Sequence, residues 1–522
     1  MDQTVLGHIF IITLISGIAY SPNLFGVPML FDSWIYGRWI HEGKLEHLSK
    51  FYQVVGMPQF GYEISKIGKN KNSYRLRLGI LLYFTKIFQY ISIYVIASQN
   101  FQIGAQTALA LTILASLYPS NTFAQEFICG LQYGLSWSVY TISIALIFNL
   151  SKENLIINII IILFATLLMI FSFSMKSLLF YSPILFAFSM IFRINILTST
   201  KWDYVFKITM ILLPFLYWLL NEKLFPRRDS YNKYNEFISA SDLPRAIIRL
   251  IQGTADATIG GLFEVIKLLR NRVVLFSIFF AAAFERRENI DLSLEFNSIN
   301  LLFVGTTITF ITLIPYVLVN QDFDSRGYLT KNFIMCDVPF ALVLFAMIKM
   351  FIPQSWQSEV IFLIVFLLIL YKLFSQLELW LQFSKHITIK VKVDSLKKSS
   401  DLVFYIEDLT TKNLGGKKDK IYPMTFYFLT NSVISEHQYY GVDARYNSKK
   451  NLKEKCVVEF DSLPLPFIKR KFLPKEIIGV RIRDGAISYK LLLRFMVFQI
   501  RRDPFNLDES NDLFQVEIFE VL

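Results

Sequence analysis

The sequence has few charged residues, few histidines and few cysteines, and each shortage narrows what the protein can be. Only 18% of the 522 residues are charged, whereas soluble proteins carry about a quarter. The five histidines leave residues 48 to 385 without any, which argues against a histidine-rich metal centre in the membrane. Cys129, Cys336 and Cys456 lie far apart and form no CxxC pair, so no disulfide framework is predicted.

Several motifs of well-known enzyme classes are also missing. The sequence contains no GxxxxGK[ST] loop, no GxGxxG, no GxSxG and no HExxH. These patterns cradle nucleotide phosphates, present a nucleophilic serine or bind a catalytic zinc ion. Their absence excludes P-loop ATP hydrolysis and favours a non-enzymatic role.

Long apolar runs are abundant, for example at residues 155–175 and 359–374. A helix of about 20 residues crosses the roughly 30 Å hydrocarbon core of a bilayer. The sequence therefore predicts a polytopic α-helical membrane protein with about eleven transmembrane helices. The predicted spans are residues 5–22, 78–97, 104–119, 129–149, 154–174, 178–197, 204–220, 272–285, 300–320, 333–352 and 358–377.

The basic residues predict the orientation of these spans. Lysine and arginine are concentrated in loops 23–77 and 221–271 and after residue 385, while the opposite loops contain only Lys152, Lys201, Arg286 and Arg287. Because basic loops stay in the cytoplasm, we expect the N-terminus outside and the C-terminal region inside. Cytoplasmic loops also account for the net charge of +12, so no nucleic-acid partner is expected.

The pattern changes after residue 384, where the predicted transmembrane domain (1–384) ends. Apolar and polar residues then alternate, which is typical of strands with one buried face. The segments are HITIKVKV, LVFYIED, MTFYFLT, KCVVEF, IIGVRIR, LLLRFMVFQI and FQVEIFEV. They predict a C-terminal all-β cytosolic domain, a barrel or a sandwich, over residues 385–522.

One short stretch of this domain resembles a known family. YIEDLTTKNLGG (405–416) is similar to the strand and turn of PilZ domains, β-barrels that bind cyclic di-GMP. The paired arginines of the family motif are absent, and Asn413 replaces its closing glycine. The resemblance implies a β-barrel only, and a nucleotide-regulated export function is an alternative that depends on it.

Two segments of the cytosolic loops have amphipathic helical spacing. In RWIHEGKLEHLSK, Arg38, Glu42, Glu46 and Lys50 recur every four residues, which predicts one solvated helix through HEGKLEH rather than a metal site. In LPRAIIRLIQ, Arg245 and Arg249 accompany three isoleucines. Such helices can lie in the membrane interface and contact anionic lipid, or pack on the C-terminal domain.

Ionisable residues inside the predicted spans are candidates for function, because charge is costly in a bilayer. Lys86, Lys207 and Asp337 are of this kind, and Arg193 is the best candidate for contact with a lipid phosphate or another anionic ligand. Two other roles for Arg193 are an ion pair with Asp337 and the end of a helix.

Asp322 and Asp324 form a DxD pair in a predicted cytoplasmic loop. Two carboxylates at this spacing can hold Mg²⁺ or Mn²⁺ against a diphosphate. They support the alternative of a membrane glycosyltransferase or lipid-modifying enzyme with a cytoplasmic active site. The primary hypothesis is a non-enzymatic protein of membrane transport or a subunit of a membrane complex, without a cofactor, that contacts lipids and other membrane or cytosolic proteins.

Overall fold

The computed structural model describes most of the chain. The described residues are 3–30, 33–54, 56–100, 103–150, 155–191, 193, 196–197, 200–226, 237–267, 297–319, 321, 323, 328–396, 402–410, 439–443, 477–500, 502–506 and 512–520. Within them the chain is mostly helical, with one small sheet near the C-terminus.

Seventeen α-helices are numbered here in chain order. They are α1 (Gln3–Tyr20), α2 (Ser33–His41), α3 (Leu45–Val54), α4 (Pro58–Gly68), α5 (Tyr74–Val95), α6 (Ala105–Ser116), α7 (Phe127–Cys129), α8 (Ser136–Phe148), α9 (Leu155–Ser172), α10 (Leu178–Ile191), α11 (Thr200–Leu224), α12 (Leu243–Ala255), α13 (Gly261–Lys267), α14 (Ser298–Leu318), α15 (Asp337–Phe351), α16 (Gln357–Asp394) and α17 (Tyr489–Phe498). The strands are β1 (Leu402–Asp408), β2 (Tyr439–Asp443), β3 (Ile477–Asp484) and β4 (Phe514–Glu520).

Seven helical segments of the described chain are long and apolar enough to cross a membrane. They are Gln3–Phe25, Tyr74–Gln99, Phe127–Phe148, Lys201–Leu224, Ser298–Leu318, Thr330–Phe351 and Gln354–Asp394. Three more of the predicted spans are apolar helices of 10–17 residues, at Ala105–Ser116, Ile156–Ser172 and Leu178–Ile191. The predicted span at 272–285 lies outside the described residues. The structure therefore supports a multi-pass membrane protein, with seven clear spans where about eleven were predicted.

Helix α16 is longer than a membrane needs. Its 38 residues extend about 57 Å at 1.5 Å per residue. The prediction of a strand at HITIKVKV (386–393) is wrong, because this segment continues the helix across the predicted boundary after residue 384. Residues 379–390 are all buried, and the buried lysines among them are paired. Lys385 lies 3.0 Å from Asp408, and Lys390 lies 2.7 Å from Asp394.

The described strands form one open, mixed sheet in the order β2-β1-β3-β4, in which β1 is parallel to β2 and β3, and β4 is antiparallel to β3. The predicted strands LVFYIED, IIGVRIR and FQVEIFEV are confirmed. The strand predicted at LLLRFMVFQI is wrong. It forms α17, which buries Leu492, Phe495, Met496 and Gln499 at helical spacing. MTFYFLT and KCVVEF lie outside the described residues, and the described strands show no barrel or sandwich.

The sheet packs together with the loop between α1 and α5. One hydrophobic cluster contains residues of α2–α4, the end of α16, the sheet and α17, and it continues into α5, α7 and α8. We call α2–α4, the end of α16, the sheet and α17 the peripheral unit. Trp34 Nε1 lies 3.0 Å from His386 Nδ1, and His41 Nδ1 lies 2.6 Å from Asp503 Oδ2. Of the two environments predicted for the amphipathic loop, the structure shows the C-terminal domain.

The predicted continuous helix through HEGKLEH is wrong. Helix α2 ends at His41 and α3 begins at Leu45, with Gly43 between them at a φ of +74°. Arg38 was predicted to lie on the solvated face of this helix, but it is buried. Its side chain lies over the ring of Phe505, 4.3 Å from the centroid, and burial lowers the pKa of its guanidinium.

Close packing of α5 on the end of the first span generates a prediction. A Cβ at Gly79 would overlap the backbone carbonyl oxygen of Asn23 and lie 2.8 Å from the Cα of Gly26. We expect Gly79→Ala to lower the free energy of unfolding by roughly 1–3 kcal/mol, the usual cost of overpacking. Thermal unfolding in detergent measures the change.

Gly7→Ala is the matched control, because it lies in an apolar helix and a Cβ there meets nothing within 4 Å. Equal stability of the Gly79→Ala and Gly7→Ala proteins would contradict the close approach of α5 to the Asn23 turn.

Candidate intramembrane polar site

Five polar side chains from three helical segments meet inside the membrane bundle. Lys86 and Gln89 come from α5, Trp137 and Ser138 from α8, and Asp337 begins α15. Lys86 Nζ donates to Gln89 Oε1 at 2.8 Å, and Gln89 Nε2 donates to Asp337 Oδ2 at 2.9 Å. Ser138 Oγ donates to Gln89 Oε1 at 2.7 Å, and Trp137 Nε1 donates to Asp337 Oδ2 at 3.0 Å. We call these residues the Lys86–Asp337 cluster.

The cluster is sealed in this conformation. Lys86, Gln89 and Asp337 are all 0% exposed. The amide of Gln89 joins the ammonium to the carboxylate, since its oxygen accepts from Lys86 and its nitrogen donates to Asp337. Asp337 also lies in the first turn of α15, where a carboxylate complements the helix dipole.

A second buried lysine lies on α16. Lys372 Nζ donates to the carbonyl oxygen of Tyr118 at 3.1 Å and to Asn121 Oδ1, and it lies 5.3 Å from the ring centroid of Tyr20. One turn further along, Gln376 donates to the carbonyl oxygen of Ala19 at 2.6 Å. The hydroxyl of Tyr20 lies 3.1 Å from that of Tyr90 on α5, the helix that carries Lys86 and Gln89, so the surroundings of the two lysines are in contact.

The backbone beside these lysines is interrupted. Helix α6 has only 12 residues, about 18 Å, and continues as the 3₁₀ segment Pro119–Gln125, in which Ser120 and Asn121 depart from helical angles. A second 3₁₀ segment, Tyr328–Cys336, leads into α15. The two segments contact each other, and the Phe123 amide donates to Thr330 Oγ1 at 3.4 Å. We call them the two 3₁₀ segments.

Interrupted backbone at membrane depth is tolerated where protein covers it. Both 3₁₀ segments are largely buried, and Gly130 and Gly134 lie close against the first one. A Cβ at Gly134 would lie 2.6 Å from the carbonyl oxygen of Ala124, and one at Gly130 would lie 2.7 Å from Leu82. The Nε2 atom of Gln125 is buried without a hydrogen-bond partner among the described residues. A buried amide nitrogen without a partner is energetically unfavourable, and an inserted water or ligand that accepts its hydrogen bond would remove this penalty.

Glu126 ties the first 3₁₀ segment to the peripheral unit. Its carboxylate accepts from the amides of Ile128 and Cys129 at 3.0 and 3.1 Å, which caps α7. It also accepts from the Leu30 amide at 3.1 Å and from the hydroxyl of Ser33, the first residue of α2. One buried carboxylate therefore holds the two regions together.

The predicted site residues are dispersed. Lys207 pairs with Asp203 at 2.6 Å on α11 and is separate from the Lys86–Asp337 cluster. Arg193 is exposed after the end of α10, with a φ of +51°, and does not meet the fully buried Asp337, so the considered pairing is wrong. Asp322 and Asp324 lie outside the described residues.

Helix α12 packs against α14 rather than on the C-terminal sheet. Arg245 is exposed and Arg249 is half-buried, while Ile247, Ile248 and Ile251 are 50–56% exposed. An outward apolar row with arginines near the helix start is compatible with lipid contact, which stays a prediction. Among the described residues, no group of three metal-ligating side chains could hold a metal ion.

Sequence reasoning did not find Lys372. Its signal is the run YKLFSQ (371–376), where Lys372 and Gln376 stand four residues apart in an otherwise apolar helix. Such spacing places both polar groups on one helix face, which then needs partners within the bundle.

The hydrogen-bond chain predicts energetic coupling between its two charged ends. We expect Lys86→Met and Asp337→Asn each to destabilise the protein, because each leaves a buried partner unsatisfied. Their combined effect should differ from the sum by at least about 0.5 kcal/mol. A double-mutant cycle on unfolding in detergent or nanodiscs gives the coupling energy.

Lys86→Met combined with Lys207→Met serves as the control, because Lys207 belongs to another ion pair. Additive effects of Lys86→Met and Asp337→Asn would show that the chain through Gln89 does not couple them.

The comparison with known proteins adds no family to this geometry. No protein-family model matches the chain, and no curated protein matches its sequence. The functional argument therefore rests on the residues of the polar region themselves.

Proposed function

We propose that the protein is an integral membrane transport protein, or the transporting subunit of a membrane complex. The observation that carries the proposal is the Lys86–Asp337 cluster, sealed next to the point where two interrupted helices meet. Buried ionisable groups are expensive in a bilayer and are commonly retained for ion or solute pathways. Transporters use discontinuous helices near the membrane midplane in this way, which is an argument by analogy.

The charges of the region favour a solute with an anionic or hydrogen-bond-accepting group. The surroundings of Lys86 and Lys372, which meet through Tyr20 and Tyr90, contain the carboxylate of Asp337. Lys372 is held by neutral oxygens of Tyr118 and Asn121. A bound anion would replace these oxygens as a stronger partner, because hydrogen bonds between charged groups exceed neutral ones.

Transport requires the sealed cluster to open toward water. The two 3₁₀ segments are the elements that we propose to move, because their hydrogen bonding is less regular than that of the neighbouring helices. Movement of Pro119–Gln125 would separate Lys372 from Tyr118 and Asn121 and expose the cluster.

We further propose that the peripheral unit is cytoplasmic and serves as a regulatory or docking domain for partner proteins. Direct contacts between the first loop and the C-terminal region, Trp34 with His386 and His41 with Asp503, support a location of both on the same side of the membrane. Both segments are basic, as cytoplasmic segments are expected to be. The enzymatic alternative depends on Asp322 and Asp324 and would require Mg²⁺ or Mn²⁺.

Cys336 precedes Asp337 and offers a test that needs no substrate. It is 1% exposed. In a Cys129→Ala, Cys456→Ala protein reconstituted in nanodiscs, we expect a water-soluble methanethiosulfonate reagent to modify Cys336 slowly. Asp337→Asn should change the rate by roughly tenfold, which corresponds to about 1.4 kcal/mol in the opening equilibrium. Mass spectrometry follows the modification.

A protein with Cys129 as its only cysteine is the matched control, since Cys129 is equally buried but lies in the capped turn of α7. It should stay unmodified. A Cys336 thiol that remains unmodified while the unfolded protein reacts completely would mean a permanently sealed bundle, which contradicts transport.

A further inference from the structure

A cleft opens where the α9–α10 turn, the end of α11 and the segment before α4 meet. The cleft is shallow and is open to its surroundings on one side. Phe60 and Phe173 line its apolar wall, and Lys176, Tyr217, Trp218 and Asn221 line the remainder. None of these residues belongs to the polar region described above.

The position of the cleft matches a membrane surface. Helix α9 ends at Ser172, α10 begins at Leu178 and α11 ends at Leu224, so three apolar helices terminate around it. Trp218 is 47% exposed on its rim. Tryptophan and tyrosine are enriched at the level of lipid headgroups, where one edge of the ring is wet and the other is apolar.

The cleft has charged and polar side chains at one end and exposed apolar side chains of α11 beyond the other. Lys176 Nζ lies 3.9 Å from Glu222 Oε1, a long contact between two partly exposed side chains. Asn221 Nδ2 donates to the carbonyl oxygen of Gly56 at 2.9 Å, which fixes the wall nearest the peripheral unit. Toward the middle of α11, Phe215 and Ile208 precede Trp218 on the same side of the helix and are 54% and 47% exposed.

We infer that this cleft binds a membrane phospholipid. The ammonium of Lys176 holds the phosphate, Tyr217 and Trp218 flank the headgroup, and an acyl chain lies along Phe215 and Ile208 of α11. Lysine is a suitable partner because its ammonium is a compact charge that binds phosphate as a point charge. The inference does not depend on the transport proposal.

Lipid retention tests the inference. The full chain is reconstituted with a mixture of phosphatidylglycerol and phosphatidylcholine, extracted into mild detergent and examined by native mass spectrometry. We expect the unmodified protein to retain one phospholipid, and Lys176→Gln to retain about tenfold less, as when a single charge-assisted contact is removed. Leu179→Trp, which fills the cleft, should have the same effect without changing a charge.

Lys201→Gln is the matched control, because it removes an exposed lysine at the other end of α11. It should retain lipid like the unmodified protein. Equal retention by all four proteins, or the same loss in Lys201→Gln as in Lys176→Gln, would overturn the inference.

Discussion

Polar groups that lie between apolar helices must find their partners inside the protein, and the bundle is arranged around this requirement. The ammonium of Lys86 reaches the carboxylate of Asp337 only through the amide of Gln89. Lys372 in turn takes its partners from the carbonyl and side-chain oxygens of Tyr118 and Asn121. The carbonyl oxygen of Tyr118 can accept from Lys372 because the chain leaves the α-helical path after α6 and frees this carbonyl from α-helical hydrogen bonding. The interrupted backbone therefore supplies a partner to the buried lysine, and the lysine donates to the carbonyl that the interruption makes available.

Helix α16 connects the buried polar groups of the bundle with the peripheral unit. The same helix carries Lys372 in the bundle and His386, Lys385 and Lys390 in the peripheral unit. A second connection runs through Glu126, which caps α7 and accepts from Leu30 and Ser33. Helix α16 and the buried carboxylate of Glu126 thus connect the membrane bundle with the peripheral unit. We expect a displacement of the first 3₁₀ segment to shift contacts in both. These connections support the proposal that the peripheral unit regulates the membrane region.

The sequence predicted the apolar spans and three of the described strands, because each has a clear period or length. It wrongly predicted strands at 386–393 and 491–500, which are almost entirely helical. Most residues of these segments are apolar, and a charged residue such as Lys390 forms an ion pair inside the protein. Alternating Ile and Lys at 386–393 looks like a strand, yet Lys390 is buried beside Asp394 one helical turn away. The role of Asp337 as an intramembrane polar group was visible in sequence, but its partners were not. Gln89 and Trp137 are distant in the chain and meet Asp337 only through tertiary packing.

The central claim is that the two 3₁₀ segments beside the buried lysines are the parts of the bundle that open. Hydrogen–deuterium exchange in nanodiscs tests it directly, because exchange of a buried amide reports opening of the surrounding structure. We predict that Pro119–Gln125 and Tyr328–Cys336 exchange at least about tenfold faster than α8, although all three are largely buried within the protein. Equal protection of the two 3₁₀ segments and α8 would contradict it.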